Sequence, residues 1–88
     1  MFQKLFGKKP NLPEQALEFT RQGVSAIQQG DIDEAINYYA KAIEINPELG
    51  IAYINRGYAY FKKGNLAQAI QDATEAIEID PGSIDAYG

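Results

Sequence analysis

The stretch ALEFTRQGVSAIQQGDIDEAINYYAKAIEINPEL, residues 16–49, is followed at once by GIAYINRGYAYFKKGNLAQAIQDATEAIEIDPGS, residues 50–83. Laid over each other at a shift of 34 residues, which puts Ala16 on Gly50, the two share nine identities. These are Gly23/Gly57, Gly30/Gly64, Ala35/Ala69, Ile36/Ile70, Ala42/Ala76, Ile43/Ile77, Glu44/Glu78, Ile45/Ile79 and Pro47/Pro81. Similar residues fill in between: Phe19/Tyr53, Asp31/Asn65, Ile32/Leu66 and Asn46/Asp80. A third copy opens in register, with Ile84-Asp85-Ala86-Tyr87 falling on Gly50-Ile51-Ala52-Tyr53. A fixed period between about 20 and 50 residues marks an array of stacked units.

Local signals say what each unit is. Pro13-Glu14 opens a helical stretch with Asn11 as its cap, and the stretch runs to about Gln29 before Gly30 stops it. Asp31 is placed to cap a second helix, with Asp33 and Glu34 in the first turn, where the macrodipole favours negative charge. Ile32, Ala35, Ile36, Tyr39, Ala42 and Ile43 recur along it at helical spacing. It ends at Asn46-Pro47, because the residue before a proline avoids the α region. The second unit repeats the scheme, with helix from about Pro47 to Lys63, Gly64 as stop, Asn65 as cap, and an end at Asp80-Pro81. Turns this short allow only antiparallel neighbours. The fold class is therefore all-α.

Composition narrows function. The 88 residues carry a formal charge of −4, with no Cys and no His. No disulfide framework, thiolate metal site or Cys nucleophile is available. The commonest general base and neutral metal ligand are also missing. Ser25 and Ser83 have no base to activate them. We therefore expect no catalytic residues, no metal, no cofactor and no enzyme. Nucleic acid is not an expected partner either, because its binders need a cationic face to displace counterions. Asp31-Ile32-Asp33-Glu34 lacks the Gly and the distal Glu of a calcium loop. No apolar run approaches the ~20 residues of a membrane span, and residues 1–10 have no secretory core. The expected location is cytoplasmic.

Charge is uneven. Lys4, Lys8 and Lys9 put +3 into residues 1–10, leaving 8 − 3 = 5 bases against 12 acids, or −7, from Asn11 onward. Phe2, Leu5 and Phe6 share one face of a helical turn. Residues 1–11 thus read as a basic, apolar tail. It is either a weak membrane-surface contact through residues 2–9 or a frayed terminus packed on the first helix.

The 34-residue period and its pattern resemble the tetratricopeptide repeat family. Phe19 and Tyr53 stand at the first large position. Gly23 and Gly57 stand where the two helices approach most closely, followed by Ala26 and Tyr60. Ala35, Ala69, Ala42 and Ala76 match the small residues of the second helix, and Pro47 and Pro81 the terminal proline. Tyr39 fits the aromatic between the alanines, whereas Ala73 departs from it, and Gln22 and Arg56 replace Leu. The resemblance implies a right-handed superhelix of antiparallel helix pairs. Repeats would cover about 16–49 and 50–83, with a partial third at 84–88, inside a repeat domain of residues 12–88.

The resemblance also implies that the first helix of each unit lines a concave groove. The residues expected there are Leu17, Thr20, Val24, Ile27 and Gln28 from unit one, and Ile51, Ile54, Asn55, Tyr58, Phe61 and Lys62 from unit two. Two readings of Ile54, Tyr58 and Phe61 stand side by side. They form a groove for an extended peptide or partner helix, or they pack against a further unit or another copy of the chain. One subtype of the family clamps the C-terminal carboxylate of chaperones such as Hsp70 and Hsp90 with Lys, Asn and Arg. This sequence offers Thr20 and Val24 where Lys and Asn belong, Asn55 as a match, and Asp85 in place of Lys. The acidic chain would also repel an acidic ligand tail. The expected function is a non-catalytic protein–protein interaction module. The alternative is a self-associating or complex-stabilising subunit, or a piece of a longer array.

Overall fold

The computed structural model describes residues 12–82. Four helices follow one another: α1 (Leu12–Gln28), α2 (Ile32–Ile45), α3 (Gly50–Lys63) and α4 (Leu66–Ile79), with no strand among the described residues. α1 packs on α2 and α3 on α4 as two hairpins, and α3 also lies along α2, which joins the hairpins into one stack. The all-α repeat architecture expected from the period is the one observed. The tail expected at 1–11, with its Asn11 cap, and the partial repeat expected at 84–88 lie outside the described residues. Pro81 and Gly82 carry helical backbone at the edge of them.

Both hairpin turns are closed by the same device. Gly30 and Gly64 adopt left-handed φ values of 86° and 91°, which a side chain would strain. The Asp31 N–H then donates to the Ala26 carbonyl at 2.8 Å and Gly30 N–H to Ile27 at 3.0 Å. Asn65 and Gly64 repeat this onto Tyr60 (2.8 Å) and Phe61 (2.9 Å). These paired bonds satisfy carbonyls that a helix end would otherwise leave free.

Two local expectations change. Asp31 and Asn65 stand at the N-cap positions, but neither side chain makes a capping bond. Only their backbone carbonyls begin the helices, accepting from Ala35 and Ala69. The third helix starts at Gly50 rather than Pro47. Asn46 Oδ1 accepts from the Glu48 N–H at 3.1 Å and the Asn46 carbonyl accepts from Leu49 N–H, so residues 46–49 form a turn instead.

The small residues mark where the backbones meet. Ala16, Ala42 and Ala52 form one buried cluster, and Ala26, Ala35, Tyr39 and Ala59 another. The alanines of α3 thus seat it on the first hairpin. Among the described residues, Tyr39 is the one large side chain wholly buried, at 1% exposed. It lies against Gly23, where a Cβ would come within 2.7 Å of Cδ1 and Cζ. Gly57 is enclosed less tightly, by Ala69 O and Asp72 Cβ, both at 3.2 Å from such a Cβ.

Candidate functional site

The residues expected in the groove do not gather in one place. Val24, Ile27 and Gln28 of α1 meet Asn55 and Tyr58 of α3 around a depression of about 230 Å³, with Tyr39 at its floor. Val24 and Tyr58 are exposed, and Ile27 and Asn55 half-buried. Lys62, one turn beyond Tyr58, holds its ammonium 5.6 Å from the Tyr58 ring centroid, so a cation stands at the rim. Seating α3 on α2 through Ala52 and Ala59 brings the α3 residues alongside α1.

The other expected residues go elsewhere. Leu17 is exposed beside Glu14, Glu18 and Arg21 at the outer edge of α1. Ile51 lies near Leu49 and Ile79 at the start of α3. Ile54 and Phe61 turn toward α4, around a second hollow of about 420 Å³ that Tyr58 also borders. Thr20 requires a correction. It is buried, and its hydroxyl donates to the Ala16 carbonyl at 2.9 Å. It falls on the stripe Ala16–Thr20–Gly23–Ala26 that packs inward, so it cannot present a hydroxyl to a ligand.

The sequence marks Arg56 only as a departure from Leu, which leaves unseen a polar contact that joins two helices. Arg56 Nε and Nη2 donate to Asp72 Oδ2 and Oδ1 at 2.8 and 2.9 Å, a two-pronged ion pair between α3 and α4. The guanidinium also sits 5.8 and 5.9 Å from the Tyr53 and Tyr60 rings. The hydrogen bond to Asp72 holds Arg56 above its ordinary pKa, against the opposing effect of burial. The signal was present in the repeat alignment. Positions 22 and 38 are Gln and Tyr in the first unit, and both become charged, with opposite signs, at Arg56 and Asp72 in the second. Burial also pushes the Tyr39 phenol up. Tyr53 rises as well, first by burial and then by the nearby Glu75.

No described helix is long and apolar enough to cross a membrane. A family model described as tetratricopeptide repeat matches residues 20–84. The solved first TPR domain of Spaghetti (RPAP3), bound to the HSP90 peptide SRMEEVD, superposes with a TM-score of 0.76 at 31% sequence identity. The match covers 77% of this chain and 55% of that one. No curated protein matches the chain.

Proposed function

The chain belongs to the tetratricopeptide repeat family, and on that footing we propose that it is a non-catalytic protein–protein interaction module. It receives an extended peptide or a partner helix in the groove between α1 and α3. The observation that carries this reading is the depression in which Val24, Ile27, Asn55 and Tyr58 converge from two repeats. Val24, Ile27 and Tyr58 supply apolar contact. Asn55 supplies a donor and an acceptor for a peptide backbone, and Lys62 a positive rim. Ile54 and Phe61, which border the neighbouring hollow together with Tyr58, extend the contact toward α4. The similar RPAP3 domain, solved with a bound peptide, supports a peptide or protein as the class of partner.

The mode of capture is apolar rather than carboxylate-directed. Val24 stands where a clamp needs a polar donor, and Thr20 beside it is buried. The peptide SRMEEVD serves as one probe and peptides selected from a random library on the 88-residue chain as another. Library peptides should lose at least tenfold in affinity on Tyr58→Asp or Val24→Asp, with unchanged melting. SRMEEVD should bind the unaltered chain no better than a scrambled peptide. Selected peptides that ignore both substitutions would overturn the reading.

A further inference from the structure

The groove between α1 and α3 has a polar floor, supplied by α2. Tyr39 is 1% exposed, yet it borders the depression shared by Val24, Ile27, Gln28, Asn55 and Tyr58. Its hydroxyl makes no hydrogen bond among the described residues. No buried side-chain oxygen or nitrogen among them lacks a partner, so the phenolic oxygen is reached from the depression rather than sealed in the core. The cause of its raised pKa agrees, since burial acts there without a charge or a hydrogen bond.

Packing does not account for this oxygen. The ring lies against Gly23 through Cδ1, Cε1 and Cζ, and a phenylalanine would fill the same space. The matching position of the second unit is Ala73, so the repeat requires no hydroxyl there. A hydroxyl that sheds water without gaining a partner costs free energy, and a ligand that supplies the partner recovers it.

On the premise that peptides bind in this groove, we infer that the Tyr39 hydroxyl selects a glutamine of the peptide, donating to its side-chain carbonyl while the stem passes between Val24 and Tyr58. Val24 and Tyr58 are 38% and 53% exposed and form the rim. The ligand main chain runs above them, and only a side chain descends to the floor. The depression, at about 230 Å³, is smaller than the roughly 300–1,000 Å³ of small-molecule pockets and suits one side chain. Val24 and Ile27 match the methylenes of the stem, and Gln28 brings a second amide to the same space.

Other side chains fit worse. An aliphatic one would cover the hydroxyl without pairing it. A carboxylate would meet no cation at the floor, because Lys62 stands at the rim with its ammonium 5.6 Å from the Tyr58 ring centroid. Lysine or arginine would meet that same positive charge on the way in. Serine and threonine are too short for the descent from rim to floor.

The probes are peptides selected from a random library on the 88-residue chain, each resynthesised with its glutamine replaced by leucine or by glutamate. Anisotropy titrations compare their binding to the parent chain and to Tyr39→Phe. On the parent, glutamine peptides should bind about tenfold tighter than their leucine counterparts, with glutamate weaker still. Tyr39→Phe should erase the preference over leucine, and its melting temperature at neutral pH should not fall, because no internal hydrogen bond is lost. Selected peptides that lack glutamine, a glutamine preference that survives Tyr39→Phe, or a lower melting temperature for that variant would overturn the inference. So would affinity that drops on Tyr39→Phe whichever residue replaces the glutamine, because a main-chain carbonyl would then hold the hydroxyl. Peptides that fail on Val24→Asp and Tyr58→Asp but bind Tyr39→Phe as they bind the parent would overturn this inference alone and leave the groove in place. Peptides indifferent to all three substitutions would overturn both.

Discussion

Replacing Gly23 with Ala sets two known effects against each other. A glycine within a helix costs about 1 kcal/mol relative to Ala, so propensity alone favours the change. The new methyl, however, lands within 2.7 Å of two Tyr39 ring atoms. Tyr39 is 1% exposed, so its ring has no room to retreat. Overpacking of a filled core costs roughly 1–3 kcal/mol, and a clash with an immobile ring belongs at the upper end. The net expectation is a loss of about 1–2 kcal/mol, or roughly 4–8 °C of melting temperature per kcal/mol in a domain this size. In a Tyr39→Ala background the obstacle is gone, and the same glycine substitution should stabilise by about 1 kcal/mol. The cycle Gly23→Ala, Tyr39→Ala and the double variant, followed by urea unfolding at 222 nm, should thus give a coupling of about 2–3 kcal/mol. A coupling near zero, or Gly23→Ala more stable than the parent with Tyr39 in place, would refute the close-approach account of this glycine.

Two further predictions concern charge. Asp72→Ala strands a guanidinium between two tyrosine rings and should destabilise by roughly 3 kcal/mol, whereas the joint change Arg56→Leu with Asp72→Leu should fall within about 1 kcal/mol of the parent in denaturant titrations. Above pH 10 the chain should lose stability. Burial raises the Tyr39 pKa in the folded state, so the folded chain keeps a proton that the unfolded chain releases. Stability is whole below about pH 10 and declines as pH climbs through the folded value. Melts at pH 9 and pH 11 should show a smaller difference for Tyr39→Phe than for the parent, with the remainder due in part to Tyr53.

The hairpins were legible because their signals are local. Gly30 and Gly64 end helices through their own backbone geometry, and Ala35 and Ala42 of α2 and Ala76 of α4 fall on buried stripes. The groove was legible only in part. Val24, Ile27, Asn55 and Tyr58 converge, but Thr20 was placed in the groove by the family's register alone. A hydroxyl that bonds back to the carbonyl four residues earlier is satisfied within its own helix and can face inward. The start of α3 was misplaced for a related reason. Proline is acceptable in a first helical turn, but the Asn46 side chain captures Glu48 N–H before the helix can claim it. Arg56 and Asp72 lie 16 residues apart on different helices, so only a comparison between the two units could have paired them.

The two hairpins are cross-braced by different forces, an aromatic plug at Tyr39 in one and a forked ion pair at Arg56–Asp72 in the other. Burial of apolar surface weakens on cooling, while the dehydration penalty on charges eases on warming. The two braces therefore answer temperature in opposite directions: chilling weakens the plug at Tyr39, and warming lowers the cost of burying the pair at Arg56–Asp72.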